Sequence, residues 1–195
     1  MSTRADKAQA ILAAAQRVFA LRGFSQTRIE DIAQEAGVGK GTVYEYFPSK
    51  KAVFEQAVEA GMSRYMDNLI REIAVNCSPQ EKLRRISVVH LQFIAEHRNI
   101  ARIIISDPAI MSSHRGRLIK ISRLAQQLVA DVIKQGIDAG VLRSVDTLFA
   151  AQAFIGVLSS IGGTYLVEQQ PWEPEAVAAA VTDIVVYGLA AAGNN

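Results

Sequence analysis

A cluster of hydrogen-bond donors lies in the heptapeptide KGTVYEY, from Lys40 to Tyr46. Lysine donates to guanine edges and phosphates, threonine donates to a base or touches a thymine methyl, and tyrosine hydroxyls donate to phosphates. Glycine at position 41 permits close backbone approach to a base edge or a phosphate. The combination predicts a surface that reads double-stranded DNA, with contacts from Lys40, Gly41, Thr42, Tyr44 and Tyr46.

Three further cations flank this heptapeptide. Arg28 precedes it and can contact either the DNA backbone or a base, whereas Lys50 and Lys51 follow it. The two lysines are expected to hold phosphates and set the register of the protein on the duplex. Two alternatives stay open: Tyr46 as a core residue and Lys51 as a plain solvated lysine.

Two short helices joined by a tight turn would position these side chains. The spacing of Thr27 and Glu30 fits a capping box and predicts a helix that begins at Arg28. Gly37 can adopt a positive φ and end that helix. A second short helix is predicted over roughly Gly39 to Phe47. Together they form a helix-turn-helix, whose second helix enters the DNA major groove.

The surrounding residues make this interpretation more specific. The stretch closely resembles the DNA-binding domain of the TetR family of one-component transcriptional regulators, over about the first quarter of the chain. Gly39 stands where that family often has Ser, and glycine is a tolerated N-cap. The resemblance rests on these residues in succession: Ile11, Leu12, Ala14, Ala15, Val18, Phe19, Ala20, Gly23, Phe24, Thr27, Ile32, Ala33, Gly37, Val38, Lys40, Gly41, Thr42, Val43, Tyr44, Tyr46, Phe47, Ser49 and Lys50.

The resemblance implies two domains with different tasks. Residues 1-48 would be the DNA-binding domain, and residues 49-195 would bind an effector and dimerise. Binding of a small molecule would change the separation of two reading heads, and repression is the expected outcome. A dimer places its recognition helices in successive major grooves about 34–36 Å apart, so the operator should be a palindrome.

Composition and charge fit a folded DNA-binding protein without cofactors. Half of the 195 residues are apolar and the formal net charge is +2. Residues 1–54 hold eight Lys or Arg and five Asp or Glu, so the excess of positive charge lies with the helix-turn-helix. Cys77 is the single cysteine, which excludes an intramolecular disulfide and is consistent with the cytoplasm. No cofactor is expected, and three dispersed histidines suggest no metal site.

The rest of the chain carries helical patterns only, so the predicted fold class is all-α with about nine helices. Ser78 to Glu81 forms a second capping box with proline at the first helical position. We find no strand pattern, repeat or low-complexity segment. Beyond the helix-turn-helix, helices are predicted over residues 49–73, 79–97, 98–106, 114–138, 146–169 and 175–192.

The segment Leu148 to Val167 contains 20 uncharged residues, which is long enough to cross a bilayer. It also contains Gln152 and several Ser, Gly and Thr residues, and its flanks are acidic. A helix buried on nearly all sides between neighbours has the same composition. We therefore expect no membrane association.

The last two predicted helices are apolar almost all round and rich in small residues. An exposed patch of that size marks an interface. We expect a homodimer in which these helices form an intermolecular four-helix bundle. The alternative is that both helices are intramolecular core. The predicted interface residues are Phe154, Leu158, Ile161, Tyr165, Val181, Ile184, Val185 and Gly188.

The effector site has a weaker signal, a set of polar and aromatic residues among apolar ones on the middle helices. The apolar surroundings favour a hydrophobic or amphipathic compound; a fatty-acyl thioester fits, and so does a drug-like or aromatic molecule. His90 is also the kind of residue found hydrogen-bonded in a core. The candidates are His90, Phe93, Asn99, Arg102, Gln126, Gln152 and Phe154.

Two other functions stay open. A helical-bundle enzyme without a recognisable motif is one, although the chain has no nucleophile elbow, Walker motif, dinucleotide fingerprint or metalloprotease helix. The other is an architectural DNA-binding protein, which would spread basic charge more widely than this chain does. The sequence favours a DNA-binding regulator that is not an enzyme.

Overall fold

The computed structural model describes residues 3–97, 108–168 and 172–188; the side chains of 108–115, 117, 118 and 166–168 lie outside the description. Within these ranges all regular structure is helical, which confirms the all-α prediction. The helix predicted over 98–106 lies outside the described residues. The helices are α1 Arg4–Gln26, α2 Ile29–Ala36, α3 Lys40–Tyr46, α4 Lys50–Ala74, α5 Pro79–Glu96, α6 Pro108–Asp138, α7 Thr147–Glu168 and α8 Pro174–Tyr187.

The chain divides into two compact units. Unit 1 takes in Met1–Arg64 and Glu96–Arg115, and unit 2 takes in Tyr65–Ala95 and Gly116–Asn195. Helix α4 contributes residues to both units. The sequence-based division at residue 48 separates the helix-turn-helix from everything after it and stays a prediction.

Unit 1 is built around aromatic rings that α1 and α4 contribute. Phe19 and Phe54 are fully buried and meet edge to face, with ring centroids 5.1 Å apart. Phe24 joins them at 5.9 Å from Phe19 and 5.2 Å from Phe54. Such aromatic contacts add to the burial of apolar area. They hold α1 against α4 within unit 1.

Helix α4 has a close contact at Gly61 in unit 1. A Cβ added to Gly61 would lie 2.7 Å from Nε2 of His97, whose side chain is buried. Beside it the amide of Gln16 donates to the Ala57 carbonyl at 2.7 Å. Glycine here therefore leaves space for the His97 ring, and no positive φ favours it at this position.

The turn between α2 and α3 follows the prediction, whereas the start of α2 does not. Gly37 adopts φ 67° and its amide donates to the α2 carbonyls, as expected of a left-handed cap. The cap of α2, however, is Arg28, whose amide donates to the Asp31 carboxylate at 2.8 Å. Thr27 is buried and its hydroxyl donates to the Gly23 carbonyl at 2.7 Å. The predicted capping box is therefore wrong by one residue, because Thr27 caps the end of α1 instead.

Unit 2 has a continuous apolar core to which α4, α5, α6, α7 and α8 all contribute. Two of its helices begin as predicted: Ser78 accepts from the Glu81 amide at 3.2 Å, and Asp146 accepts from the Phe149 amide at 2.8 Å. The buried core residues are Tyr65, Met66, Leu69, Leu83, Ile86, Leu91, Ala125, Val129, Ala130, Val132, Ile133, Ala151, Phe154, Leu158, Ala178 and Val181.

Candidate nucleic-acid interface

Helix α3 presents one polar face and one apolar face. Val43 is fully buried, and Phe47 beyond the helix end is 2% exposed, so these two residues fix the helix on unit 1. Lys40, Gly41 and Tyr44 are exposed, with Tyr44 at 47%. A Cβ at Gly41 would meet nothing within 4 Å, so the glycine leaves open space on the outer face. This face has the residues that base and phosphate contacts require.

Lys40 is held by an ion pair across the turn. Its ammonium lies 2.6 Å from a Glu30 carboxylate oxygen on α2 and 6.0 Å from the centre of the Tyr44 ring. The hydrogen bond and charge of Glu30 raise the pKa of Lys40, and the bond to Lys40 lowers the pKa of Glu30. Both side chains are more than half exposed, so water and salt screen the pair. The pair holds the Lys40 ammonium next to α2 without burying it.

Ion pairs from α1 to α2 fix the first helix of the motif. Arg22 and Asp31 approach to 2.7 Å, and so do Arg17 and Glu35. The pKa of Asp31 is lowered, first by the hydrogen bond from the Arg28 amide and then by the charge of Arg22. The Arg28 side chain is exposed at the N-terminus of α2, where it can reach DNA.

The Lys50 ammonium contacts backbone carbonyls of the protein, whereas its position in the sequence predicts a contact with a DNA phosphate. Its ammonium donates to the Phe24 carbonyl at 2.9 Å and to the Thr27 carbonyl at 3.0 Å. It also lies 4.5 Å from the centre of the Phe24 ring. Lys50 thus ties α4 to the segment between α1 and α2. Lys51 is exposed and 3.9 Å from Glu55, which leaves it available to a phosphate.

Tyr46 is half-buried and borders a groove that the sequence did not predict. The Arg4 guanidinium lies 5.5 Å from the centre of the Tyr46 ring, and Lys7 and Glu45 line the same groove. Thr3 and Asp6 form a capping box that begins α1 at Arg4, which brings this cation next to α3. The sequence signal for it was the T-x-x-D spacing ahead of the first apolar stripe.

The predicted effector residues divide into separate groups. His90 hydrogen-bonds to Tyr65 and Ser159, each at 3.0 Å, and Phe93 packs on the Tyr65 ring. Gln126 donates to Ser122 on its own helix, and Gln152 is exposed. Asn99 and Arg102 lie outside the described residues.

Phe154 is 1% exposed and borders an apolar cavity of about 250 Å³ in unit 2. Arg143 and Asp146 supply its charged groups. The remaining lining is apolar and comes from Leu83, Ile133, Leu142, Val145, Phe149, Ala150, Ala153, Val185 and Val186.

The predicted dimer residues also divide. Phe154, Leu158 and Val181 are at most 2% exposed within one chain, so their side chains have no surface left for a second copy. That part of the prediction needs correction: these three residues are intramolecular core. Ile161 and Tyr165 are half-buried, and Tyr165 stacks on Trp172.

The exposed apolar residues of α7 and α8 lie on the faces that turn away from the core of unit 2. Of the predicted interface residues, Ile184, Val185 and Gly188 are exposed. They are accompanied by three large side chains that the prediction left out: Phe149 at 71%, Tyr187 at 70% and Val157 at 37% exposure. Thr147–Tyr165 is also long and apolar enough to cross a membrane, although core helices of soluble proteins meet the same test.

The residues that the structure describes contain no group of three or more His, Cys, Asp or Glu side chains arranged to hold a metal ion. Cys77 is a half-buried free thiol.

Two family profiles match the chain. Residues 11–57 match the profile described as bacterial regulatory proteins, tetR family, and residues 76–189 match the profile described as tetracyclin repressor-like, C-terminal domain. The first match spans α2, α3 and the buried stripe of α1, and the second spans most of unit 2. Together they cover α2, α3 and most of the residues of unit 2.

Individual proteins are similar over two thirds of the chain or more. The fatty acid metabolism regulator protein of Bacillus subtilis is 24% identical over 193 residues, covering 97% of this chain and 98% of that protein. The HTH-type transcriptional repressor KstR2 of Mycobacterium tuberculosis is 28% identical over 137 residues, 68% of each chain. The solved structure of the transcriptional regulator FadR from Bacillus subtilis in complex with stearoyl-CoA superposes with a TM-score of 0.73 at 23% identity, covering 93% of this chain and 99% of that one.

Proposed function

The chain belongs to the TetR family of bacterial regulatory proteins, and from that membership we propose that it acts as a homodimeric repressor on a palindromic operator and leaves DNA when a long-chain acyl thioester binds unit 2. Its relatives are transcriptional regulators and not enzymes, and this chain is a ligand-responsive DNA-binding regulator of the same kind. Such regulators are soluble DNA-binding proteins, and we place this one in the cytoplasm.

The observation that carries the DNA-binding proposal is the outer face of α3. Lys40, Gly41 and Tyr44 are exposed together, while Val43 beneath them anchors the helix in the core. In a helix-turn-helix the exposed face of the second helix enters the major groove. Lys40 is therefore assigned to a base and Tyr44 to a base or a phosphate. Thr42 is half-buried and is also assigned to a base, as its hydroxyl and methyl groups allow.

Phosphate contacts are proposed around this face. Arg28 at the start of α2 and Lys51 on α4 are both exposed. Arg4, positioned by Tyr46, and Lys7 add two cations from the first turns of α1. Lys50 is kept only as a residue that positions α4, because its ammonium already donates to two carbonyls.

A footprint on the DNA upstream of the chain's own gene tests this proposal. We expect one protected palindrome, and a Tyr44→Ala variant should bind it about 5- to 150-fold more weakly, the equivalent of about 1–3 kcal/mol. Protection without sequence preference would indicate an architectural protein, and unchanged affinity of Tyr44→Ala would remove Tyr44 from the interface.

The dimer proposal rests on the uncovered apolar face of α7 and α8. Phe149, Val157, Ile184, Val185 and Tyr187 are each more than a third exposed in the single chain. A contiguous exposed apolar patch marks an interaction surface, and a second copy related by a twofold axis covers it with the same residues. A bilayer is the competing occupant, because the same helix is long enough to span one.

Sedimentation of the purified chain separates these occupants. We expect a dimer in detergent-free buffer and a monomer for Ile184→Glu. Leu21→Glu is the matched control, since Leu21 is 81% exposed but lies on α1 in unit 1. A wild-type monomer, or a protein that stays soluble only in detergent, would contradict the dimer.

The effector proposal takes its chemical class from similar proteins and from the composition of unit 2. One relative is a fatty acid metabolism regulator, and the solved structure described above contains stearoyl-CoA. The apolar residues that line the cavity in unit 2 suit an acyl chain. Fluorescence anisotropy of labelled operator should show release by stearoyl-CoA at micromolar concentration and no release by coenzyme A alone. Retention of the operator at saturating stearoyl-CoA would contradict this effector class.

A further inference from the structure

Helix α3 carries one acidic residue, Glu45, and its side chain is exposed. Val43, which is fully buried, comes two residues earlier, so Glu45 lies about 200° around the helix axis from it. Gly41 comes four residues before Glu45, and residues with this spacing lie on the same side of a helix. Glu45 is therefore on the outer face of α3, the face that is assigned above to the major groove.

The Glu45 carboxylate differs from the other acidic groups of the helix-turn-helix and the helix that follows it. Residues 28–55 contain four other acidic side chains, and each of them forms an ion pair. Among the described residues, Glu45 forms none. The four pairs are Glu30 with Lys40, Asp31 with Arg22, Glu35 with Arg17 and Glu55 with Lys51.

Two cations border Glu45 without neutralising it. Arg4 and Lys7 line the same groove as Glu45 and Tyr46, and the Arg4 guanidinium lies over the Tyr46 ring, 5.5 Å from its centre. Both cations are proposed above to hold phosphates. A carboxylate that approaches DNA beside them is repelled by those phosphates, and its loss of water is costly unless a donor replaces the water. Glu45 therefore requires a hydrogen-bond donor on the DNA.

The base edges in the major groove offer two kinds of donor. Guanine presents two acceptors, and thymine presents one acceptor and a methyl group, so neither can donate to a carboxylate there. Adenine presents an amino group next to the N7 acceptor, which repels a carboxylate, whereas cytosine presents its N4 amino group alone. Cytosine is therefore the base that suits Glu45.

We propose that the Glu45 carboxylate accepts a hydrogen bond from the N4 amino group of a cytosine and so specifies one base pair in each half of the operator. This inference rests on the DNA-binding function proposed above and adds the base that one residue reads. A Cβ at Gly41 would meet nothing within 4 Å, so the helix surface beside Glu45 is open to a base edge. Lys40 supplies only donors and suits guanine, and Glu45 gives α3 the complementary kind of contact.

Base preferences of wild type and Glu45→Ala test the assignment. Selection of bound duplexes from a random-sequence library, followed by sequencing, gives the preference at each operator position. We expect wild type to prefer cytosine at one position of each half-site, and Glu45→Ala to accept all four bases there while keeping its other preferences. In fluorescence anisotropy, replacing that base pair in one half-site should weaken wild-type binding about 5- to 150-fold and change Glu45→Ala binding less than about twofold.

Two further variants separate base recognition from charge. Glutamine pairs with adenine through its amide donor and acceptor, so Glu45→Gln should move the preference at that position from cytosine to adenine. Glu35→Gln is the matched control, because Glu35 is an exposed acid on α2 and its replacement removes the same charge. It should keep every base preference of wild type. Equal urea midpoints of wild type and Glu45→Ala would show that the fold is unchanged.

Three outcomes would contradict the inference. Tighter binding of Glu45→Ala to every duplex, with wild-type base preferences, would show a solvated carboxylate that only repels phosphates. Base preferences that Glu45→Ala leaves unchanged, or a Glu45-dependent preference for a base other than cytosine, overturn the inference as well, while selection of a palindrome by wild type still supports the proposed regulator. Failure of wild type to select any sequence overturns the proposed regulator and this inference with it.

Discussion

Lys50 gives the sharpest test of how unit 1 is held together. Replacing it with alanine removes charge-assisted hydrogen bonds to the Phe24 and Thr27 carbonyls, at 2.9 and 3.0 Å, and the cation lying on the Phe24 ring. A hydrogen bond to a charged group contributes about 1.5–3 kcal/mol and a cation–π contact about 0.5–1 kcal/mol. In the variant, water can hydrogen-bond to the two freed carbonyls and so recover part of this stabilisation. We therefore expect Lys50→Ala to lower the free energy of unfolding by about 2–4 kcal/mol.

The neighbouring lysine is the control. Lys51 is exposed and 3.9 Å from Glu55, so Lys51→Ala should change the free energy of unfolding by less than about 0.5 kcal/mol. Urea unfolding should be followed by far-UV circular dichroism, because the single tryptophan, Trp172, lies in unit 2 and does not report directly on unit 1.

DNA binding separates the two roles further. Lys51→Ala should flatten the dependence of log affinity on log salt by about one, as loss of a phosphate contact does. Lys50→Ala should weaken operator binding at every salt concentration without changing the slope. Equal stability of the two variants, combined with a reduced slope for Lys50→Ala, would refute the structural role and return Lys50 to the phosphates.

Three further predictions concern glycines and titration. Gly61→Ala should lower the free energy of unfolding by about 1–2 kcal/mol in the same urea assay, because its Cβ would lie 2.7 Å from the buried His97 ring; a neutral result would show that the ring can move. Gly41→Ala should leave stability unchanged or raise it by up to about 1 kcal/mol, because an added Cβ meets no atom of the chain within 4 Å. It should weaken operator binding about tenfold if the DNA approaches this position closely, as proposed; full operator affinity would contradict close approach. Finally, the folded-state pKa of His90, about 4, lies below its unfolded value of about 6.5, so the unfolded chain binds more protons and stability falls as the pH drops below that unfolded value. Between pH 7 and pH 5, wild type should lose about 2 kcal/mol more than His90→Gln. Parallel pH profiles would show that His90 is not held neutral.

The helix-turn-helix could be predicted from sequence because its signals are local. The positive φ of Gly37 depends on neighbours a few residues away, and it is found as expected. The start of α2 was displaced by one residue because Thr27 had two possible partners. Its hydroxyl donates to the Gly23 carbonyl, four residues earlier, and does not cap α2. The spacing of Thr27 and Glu30 alone does not show which of the two partners the hydroxyl takes.

The role of Lys50 could not be predicted because its acceptors are distant in sequence. The Phe24 and Thr27 carbonyls lie 26 and 23 residues earlier and meet the ammonium only after α1 and α4 have packed. From sequence alone, a lysine after a recognition helix is therefore predicted to contact a phosphate, even when its ammonium donates to carbonyls of the protein itself.

The apolar helices α7 and α8 posed the opposite difficulty. Both are hydrophobic on every face, so their patterns do not show which face meets the chain's own core. Phe154 and Val181 turned inward, whereas Phe149 and Tyr187 turned outward. A search for the most apolar residues selects the buried set first, although only the exposed set can contact a second copy.

The ion pair between Lys40 and Glu30 has a consequence for how binding to DNA must be measured. At 2.6 Å from a carboxylate, the Lys40 ammonium already has a counterion within the protein. Its transfer to a phosphate exchanges one anionic partner for another and exposes Glu30, so the net release of salt is small. The slope of affinity against salt counts the cations that arrive unpaired, and it will therefore report fewer contacts than α3 makes.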